Sequence, residues 1–259
     1  MKVNQGPLRK ENRSSETVLL KHNMHNLFYI TSQQIKGDHI VIDRKELHHV
    51  KNVMRIRKGD VVYLTDGAGN SFQTEIISVE RNSLVSRVLA KEHMERAVKV
   101  NLELAFVPLK SSRNDIIIEK ATELGVSQFR PFISKYSVVK KLTKHRVERF
   151  QRLALSAMLQ SKQYYLPNFM IFESICTLVK TCVDFDLVVL ADEQGDQQVP
   201  HSALNILYIL GPEGGFDRRE IQLFKDHGVK LLSLGPNRLR SETAAIVGVS
   251  KILAAYGQI

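Results

Sequence analysis

The sequence predicts an α/β fold in which a small β-rich unit precedes a larger domain built on a mostly parallel sheet. Three observations predict it. Short strand-like runs broken by turn residues fill roughly residues 25–97. After Lys99 the rhythm becomes strand, helix, strand. Near the C-terminus two apolar strands each end in a glycine-bearing loop, the kind of place where open α/β sheets gather their ligands.

Each element follows from local pattern. Residues 1–23 are rich in Asn, Ser, Lys and Arg, and read as a disordered extension. Met24 is then a second candidate start. Residues 40–42, 61–64, 72–77 and 84–89 are β-rich runs, punctuated by turns at 58–60 and 66–70, and residues 45–54 suggest one short helix. Together these make a small β-barrel. Residues 100–107 form a buried strand, followed by a helix over about 112–124 with Ile116, Ile117, Ala121 and Leu124 on its apolar stripe and Gly125 as its cap. A strand at 128–133 and a long helix at about 143–163 come next. The runs 186–191 and 206–210 are almost continuously apolar, as in parallel strands covered on both faces. Asp217 with Glu220 reads as a capping box, and Ser241 or Thr243 as the cap of a final helix over 244–255.

The chain has 259 residues, 43% apolar and 25% charged, with a net charge of +10. No apolar run approaches the roughly 20 residues of a membrane span, and no leader-like stretch precedes Met24, so a cytoplasmic protein is expected. Cys176 and Cys182 match neither zinc nor redox spacing, and the nine histidines form no ligand motif, so no metal is expected. Two basic clusters stand out. Lys51, Arg55, Arg57 and Lys58 have no acid among them. From Arg130 to Arg152 eight cations face one acid, Glu148. Such clusters attract phosphate backbones, or else form a solvated helix face.

The first loop runs Leu210, Gly211, Pro212, Glu213, Gly214, Gly215, Phe216, Asp217. It lacks the Gly-Lys-Ser/Thr of a P-loop and the spacing and early position of a dinucleotide fingerprint. The second runs from Leu234 through Asn237, Arg238, Leu239, Arg240, Ser241 and Glu242 to Thr243. It crowds polar groups at a helix start, where an anion or polar ligand is favoured.

With these two loops, the motif centred on residues 119–126, Gln160-Ser161 at the end of the long helix, and the run from His49 to Asp60, the sequence resembles the RsmE-type bacterial methyltransferases of small-subunit (16S) ribosomal RNA. The resemblance spans roughly residues 24–258. It implies a PUA-like β-barrel over 24–97 and a SPOUT methyltransferase domain over 98–259 with a trefoil knot. It also implies a homodimer, S-adenosyl-L-methionine as methyl donor, and N3 of one uridine as acceptor. On this resemblance Leu210, Gly211, Gly214 and Gly215 line one wall of the donor pocket. Leu234, Asn237, Arg238 and Leu239 line another, and Thr243 and Ala244 close its base. Uridine N3 attacks well only after losing its imide proton, so a base or a charge-stabilising cation is needed. Arg240 is the candidate for the charge, with Glu242 or Glu213 for the proton, while Glu213 could instead anchor its own loop. Lys51, Arg55, Arg57, Lys58, Lys110 and Arg113 are candidate RNA contacts. Tyr164 and Tyr165 suit a core or interface role better than base stacking.

The chain departs from the family on the long helix. Many members carry Glu-Ala-x-Glu-Gln-Ser with a nearby Arg, where this chain has Ser156, Ala157, Met158, Leu159, Gln160, Ser161 and Lys162. Both glutamates and the arginine are missing, with Lys162 as a substitute cation. A non-catalytic RNA-binding factor would have lost the donor loops, which are intact here. Methylation of a tRNA or of another ribosomal site is the remaining alternative.

Overall fold

The computed structural model describes residues 27–43, 56–81, 83–110, 112–200 and 203–259. The expected extension 1–23, Met24, the helix over 45–54, and Lys51 and Arg55 lie outside the described residues.

The N-terminal part is one sheet of six strands: β1 (Leu27–Tyr29), β2 (Ile35–Lys36), β3 (His39–Asp43), β4 (Val61–Thr65), β5 (Asn70–Val79) and β6 (Ser83–His93), in the order β1-β4-β5-β6-β3-β2. β4, β5 and β6 pair as successive antiparallel neighbours, and β1 runs parallel to β4. Register shifts at Gln73/Thr74 and Ile76/Ser78 are bulges, which bend a strand and sharpen its twist. The inward residues Ile30, Ile40, Ile42, Leu64, Phe72, Ile76 and Leu84 are buried together.

The second sheet is parallel throughout. It comprises β7 (Asn101–Phe106), β8 (Gln128–Pro131), β9 (Asn168–Phe169), β10 (Leu187–Asp196), β11 (Asn205–Leu210) and β12 (Lys230–Leu232), ordered β12-β10-β11-β7-β8-β9. Period-two alternation sorts its side chains between two cores. Leu102, Leu104, Phe106, Ile206, Tyr208 and Leu210 face one side, and Ala105, Val107, Leu207 and Ile209 the other. Helices α1 (Arg113–Glu123), α2 (Lys144–Gln160) and α5 (Ser241–Ala255) cover the first face. Helices α3 (Ile175–Val179) and α4 (Arg218–Asp226) cover the second. Burial on both faces is why these strands read as apolar runs.

Two helix expectations are corrected. Ile116 is exposed, and Ile117, Ile118 and Ala121 carry the buried face of α1. The final helix begins at Ser241 rather than Ala244. Its N-cap position is Arg240, with extended backbone and no capping side-chain bond. The Arg240 carbonyl already accepts from Ala244 N at 2.8 Å, so Ser241 and Thr243 lie inside the first turn. The predicted cap at Gly125 is present, ending α1 at φ +91. Thr143, expected inside the long helix, instead lies just before it and caps α2. The Gln163 side chain donates to the Thr122 and Glu123 carbonyls at 2.8 and 2.9 Å, so the end of α2 caps the end of α1.

The two sheets are joined directly. Ala68 and Tyr165 form an antiparallel bridge, Gly69 N donates to Tyr164 O, and Leu166 N donates to Gly67 O, both at 2.8 Å. The Tyr165 hydroxyl donates to Met94 O at 2.9 Å, and Arg96 lies over its ring at 4.2 Å. Tyr165 is an interface residue.

Candidate active site

The site forms at the carboxyl edge of the parallel sheet. β11 and β12 lie on either side of β10, so the loops that follow them open at the same edge. β7 pairs with β11 in register from Asn101↔Asn205 to Phe106↔Leu210, which brings the segment after Phe106 to this edge as well.

The first loop is tightly anchored. A β-carbon at Gly211 would lie 2.7 Å from the Phe216 ring, so glycine is what lets that ring fold back. Phe216 stacks on Phe132 with centroids 6.2 Å apart and planes 9° from parallel, and meets Phe224 edge-on. Gly215 N donates to Pro212 O at 2.9 Å, closing a turn that needs the positive φ of Gly215, +72. Asp217 then caps α4, accepting from Arg219 N at 2.7 Å and Glu220 N at 3.0 Å, while the Glu220 carboxylate accepts from Asp217 N at 3.0 Å and Lys135 N at 2.8 Å. Lys135 pairs with Asp217 at 2.5 Å. That ammonium, helped by the Glu220 amide, holds the Asp217 carboxyl down to about 2, and the Lys135 ammonium is raised in turn.

Glu213 forms an ion pair with Arg113, the first residue of α1. Its carboxylate therefore anchors its own loop, and its carbonyl accepts from Arg238 Nη2 at 3.3 Å. Buried Asn114 brackets Leu109, accepting from its N and donating to its carbonyl, each at 2.8 Å. Lys110 is exposed beside it.

The second loop has a different character. Leu234 and Leu239 are half-buried against the core, whereas Asn237, Arg238 and Arg240 are exposed. Glu242 lies in the first turn of α5, where the helix dipole favours a carboxylate. Its Oε2 is buried and has no hydrogen-bond partner. Thr243 is exposed. Ala244 is buried, and its carbonyl accepts from the Tyr208 hydroxyl at 2.8 Å. A β-carbon at Gly248 would lie 2.2 Å from Tyr208, so that glycine lets α5 sit directly on β11.

Gly215 and Gly235 face open space. A β-carbon on either would meet nothing within 4 Å. Both lie in loops at strand ends, where open backbone leaves room for a ligand, although turn glycines such as Gly59 and Gly228 are equally open. A separate cavity of about 360 Å³ is lined by Ser112, Asn114, Asp115, Arg146, Arg149 and Phe150, and by none of the loop residues.

The structure thus brings Leu210, Gly211, Glu213, Arg113 and Arg238 together, with Arg240, Glu242 and Thr243 at the start of α5. Arg57 and Lys58 are exposed in the turn before β4, on the first sheet. Sequence reasoning missed Lys135 and Asn114 as supports, and the contact of Glu220 with Lys135 N. Asn114 alone had a local signal, a polar residue on the buried face of a helix. Among the described residues no group of His, Cys, Asp or Glu could hold a metal, and no helix is long and apolar enough to cross a membrane.

The class of protein this arrangement defines is an RNA-modifying methyltransferase. The RNA methyltransferase domain family matches residues 96–253 and the RNA methyltransferase PUA domain matches residues 42–89; the chain belongs to this family. Ribosomal RNA small subunit methyltransferase E of Bacillus subtilis (strain 168) is 31% identical over 238 residues, covering 86% of this chain and 93% of that protein. A methyltransferase from Legionella pneumophila, solved with bound SAM, is 26% identical with a TM-score of 0.79, over 89% of this chain and 98% of that one. A Ribosomal RNA small subunit methyltransferase E from Neisseria gonorrhoeae shares the fold at 22% identity, with a TM-score of 0.82 over 90% and 98%.

Proposed function

We propose that this protein is an S-adenosyl-L-methionine-dependent methyltransferase of ribosomal RNA, acting on N3 of one uridine in the 16S rRNA of the small subunit, in the cytoplasm and as a homodimer. The observation that carries this reading is the pair of glycine loops at one sheet edge, open at Gly215 and Gly235, in a chain whose two parts each match an RNA methyltransferase family. The domains divide at residues 97 and 98, with 1–23 as an extension. The place of β10 between β11 and β12 supports the crossover that a trefoil knot needs, and the bulges in β5 and β6 support the curvature of a barrel.

The residues present fit the donor. Leu210, Gly211, Gly214 and Gly215 would hold it on one side, and Leu234, Asn237, Arg238 and Leu239 on the other, with Thr243 and Ala244 below. Bound there, it supplies an electrophilic methyl group. Glu242 is the candidate to take the uridine N3 proton, because its Oε2 has no other partner; Glu213, paired with Arg113, is the weaker candidate and supports the loop instead. Arg240 stabilises the charge that develops on the base as the proton leaves. Arg57, Lys58, Lys110 and Arg113, with Lys51 and Arg55, steer the RNA backbone.

The decisive experiment transfers labelled methyl from S-adenosylmethionine to small ribosomal subunits lacking the modification, followed by nucleoside analysis. The expected product is 3-methyluridine in 16S rRNA. Donor binding without label in that RNA would reject the substrate assignment; no donor binding would reject the enzyme.

A further inference from the structure

The basic cluster between Arg130 and Arg152 is not one surface. The structure sorts its cations. Arg130 is buried and pairs with Glu103, Lys135 pairs with Asp217, Arg146 donates to the Leu109 carbonyl, and Arg149 pairs with Asp115. Lys140, Lys141, Lys144 and Arg152 are also exposed; Lys144, 93% exposed, has only a 4.0 Å contact with Glu148 of its own helix. Three of these four follow directly on the turn that begins at Ser134.

That turn is held rigidly. Ser134 N donates to Ser137 Oγ at 2.7 Å and Ser137 N donates to Ser134 O at 3.1 Å. The Lys135 backbone and side chain bind the capping box of α4, so the turn is fixed to the end of the first glycine loop. Its tip is Tyr136, 48% exposed despite this anchoring. A β-carbon at Gly214 would lie 3.9 Å from Tyr136 Cβ, which puts the tyrosine beside the first glycine loop. Lys135 Nζ lies 5.2 Å from its ring centroid, and Lys140 Nζ donates to the Lys135 carbonyl at 3.1 Å. An exposed ring therefore projects from a rigid turn beside the candidate active site, with the Lys135 ammonium against it and Lys140 bound to the same turn.

We propose that Tyr136 is the stacking platform for an unpaired base of the RNA substrate, at or next to the target nucleotide, with Lys140, Lys141 and Lys144 following the adjoining phosphates. The proposal rests on the RNA methyltransferase reading and adds where the RNA enters. Single-stranded RNA is recognised by aromatic rings that stack on splayed bases and by cations that track the backbone. A target uridine must leave its stack for N3 to reach a methyl donor, and a ring beside the first glycine loop compensates for that lost stacking. A second copy of this chain is the competing occupant of Tyr136. The run of exposed lysines beside it favours a polyanion.

The test compares Tyr136→Ala and Tyr136→Phe in methyl transfer to small subunits lacking the modification, alongside donor affinity and the mass of the particle in solution. For Tyr136→Ala the KM for subunits is expected to rise about tenfold or more, with donor affinity and mass unchanged. Tyr136→Phe, which keeps the ring, is expected to restore KM. An unchanged KM in Tyr136→Ala overturns the proposal. So does equal loss in Tyr136→Phe, which would assign the effect to the hydroxyl, and so does a drop in mass, which would assign the ring to a protein interface. Failure of the unsubstituted protein to methylate subunits would instead overturn the reading beneath it.

Discussion

Around the first glycine loop, Arg113, Lys135 and Phe132 each reach in from a different element, and a capping box closes its far end. The second loop is held by longer contacts, Gly235 N to Ser233 Oγ at 3.5 Å and Arg238 Nη2 to the Glu213 carbonyl at 3.3 Å, and its Arg240 is exposed. The difference teaches a division of labour. A wall that sets the shape of a pocket must not move, whereas groups that meet a substrate in its transition state gain from being uncommitted before it arrives. Arg240 and Glu242 fit the second role, and Glu213 and Asp217 the first.

The comparison is broken most directly at Arg240. Arg240→Ala should lower kcat by about a hundredfold or more, the scale of a lost charge-stabilising donor, while the melting temperature stays within the range of a surface substitution. Single-turnover methyl transfer and calorimetry measure both, and a large stability loss would place Arg240 in the scaffold. Gly215→Val comes next. The site has room for the side chain, but that room is the proposed donor cradle, so calorimetric titration should show donor affinity falling at least about tenfold. Strain at φ +72 should cost about 1–2 kcal/mol of stability.

Gly211→Ala sharpens the contrast from the other side. Its β-carbon must displace Phe216 from Phe132, so denaturant unfolding should show a loss of about 1–3 kcal/mol from overpacking. The smallest effect is expected at Asp217. Its folded value lies below the ordinary carboxylate range, so its stabilisation is complete above about pH 4 and disappears as pH falls towards 2. Asp217→Asn should remove that portion of the acid unfolding curve; an unaltered acid limb would show that the pair with Lys135 contributes nothing.

How much of this was legible depends on sequence range. The capping box of Asp217 and Glu220 is three residues wide, and both the sequence pattern and the structure contain it. The phase of α1 was misread because Ile116, Ile117 and Ile118 in a row leave the buried face undecided over one turn. Ser241 and Thr243 look like caps by residue type, yet extended backbone at Arg240 places them within the helix. Long-range pairs had no signal at all. Arg113 and Glu213 are 100 residues apart, and Lys135 and Asp217 are 82 apart. Two glycine loops could be recognised as a site from their own residues, but the contacts that make one of them rigid come from elsewhere in the chain.

The parallel pairing of β7 with β11 also has a consequence for how the protein is made. Asn101 and Asn205, paired at the start of these strands, are 104 residues apart. At ordinary synthesis rates that separation is about 5 to 20 s of translation, during which β7 has no β11 to bury it. β4, β5 and β6 close as local hairpins and need no such wait. The nascent chain therefore emerges with its first sheet able to fold, while β7 can pair with β8 on one side but keeps its other edge open until β11 is made.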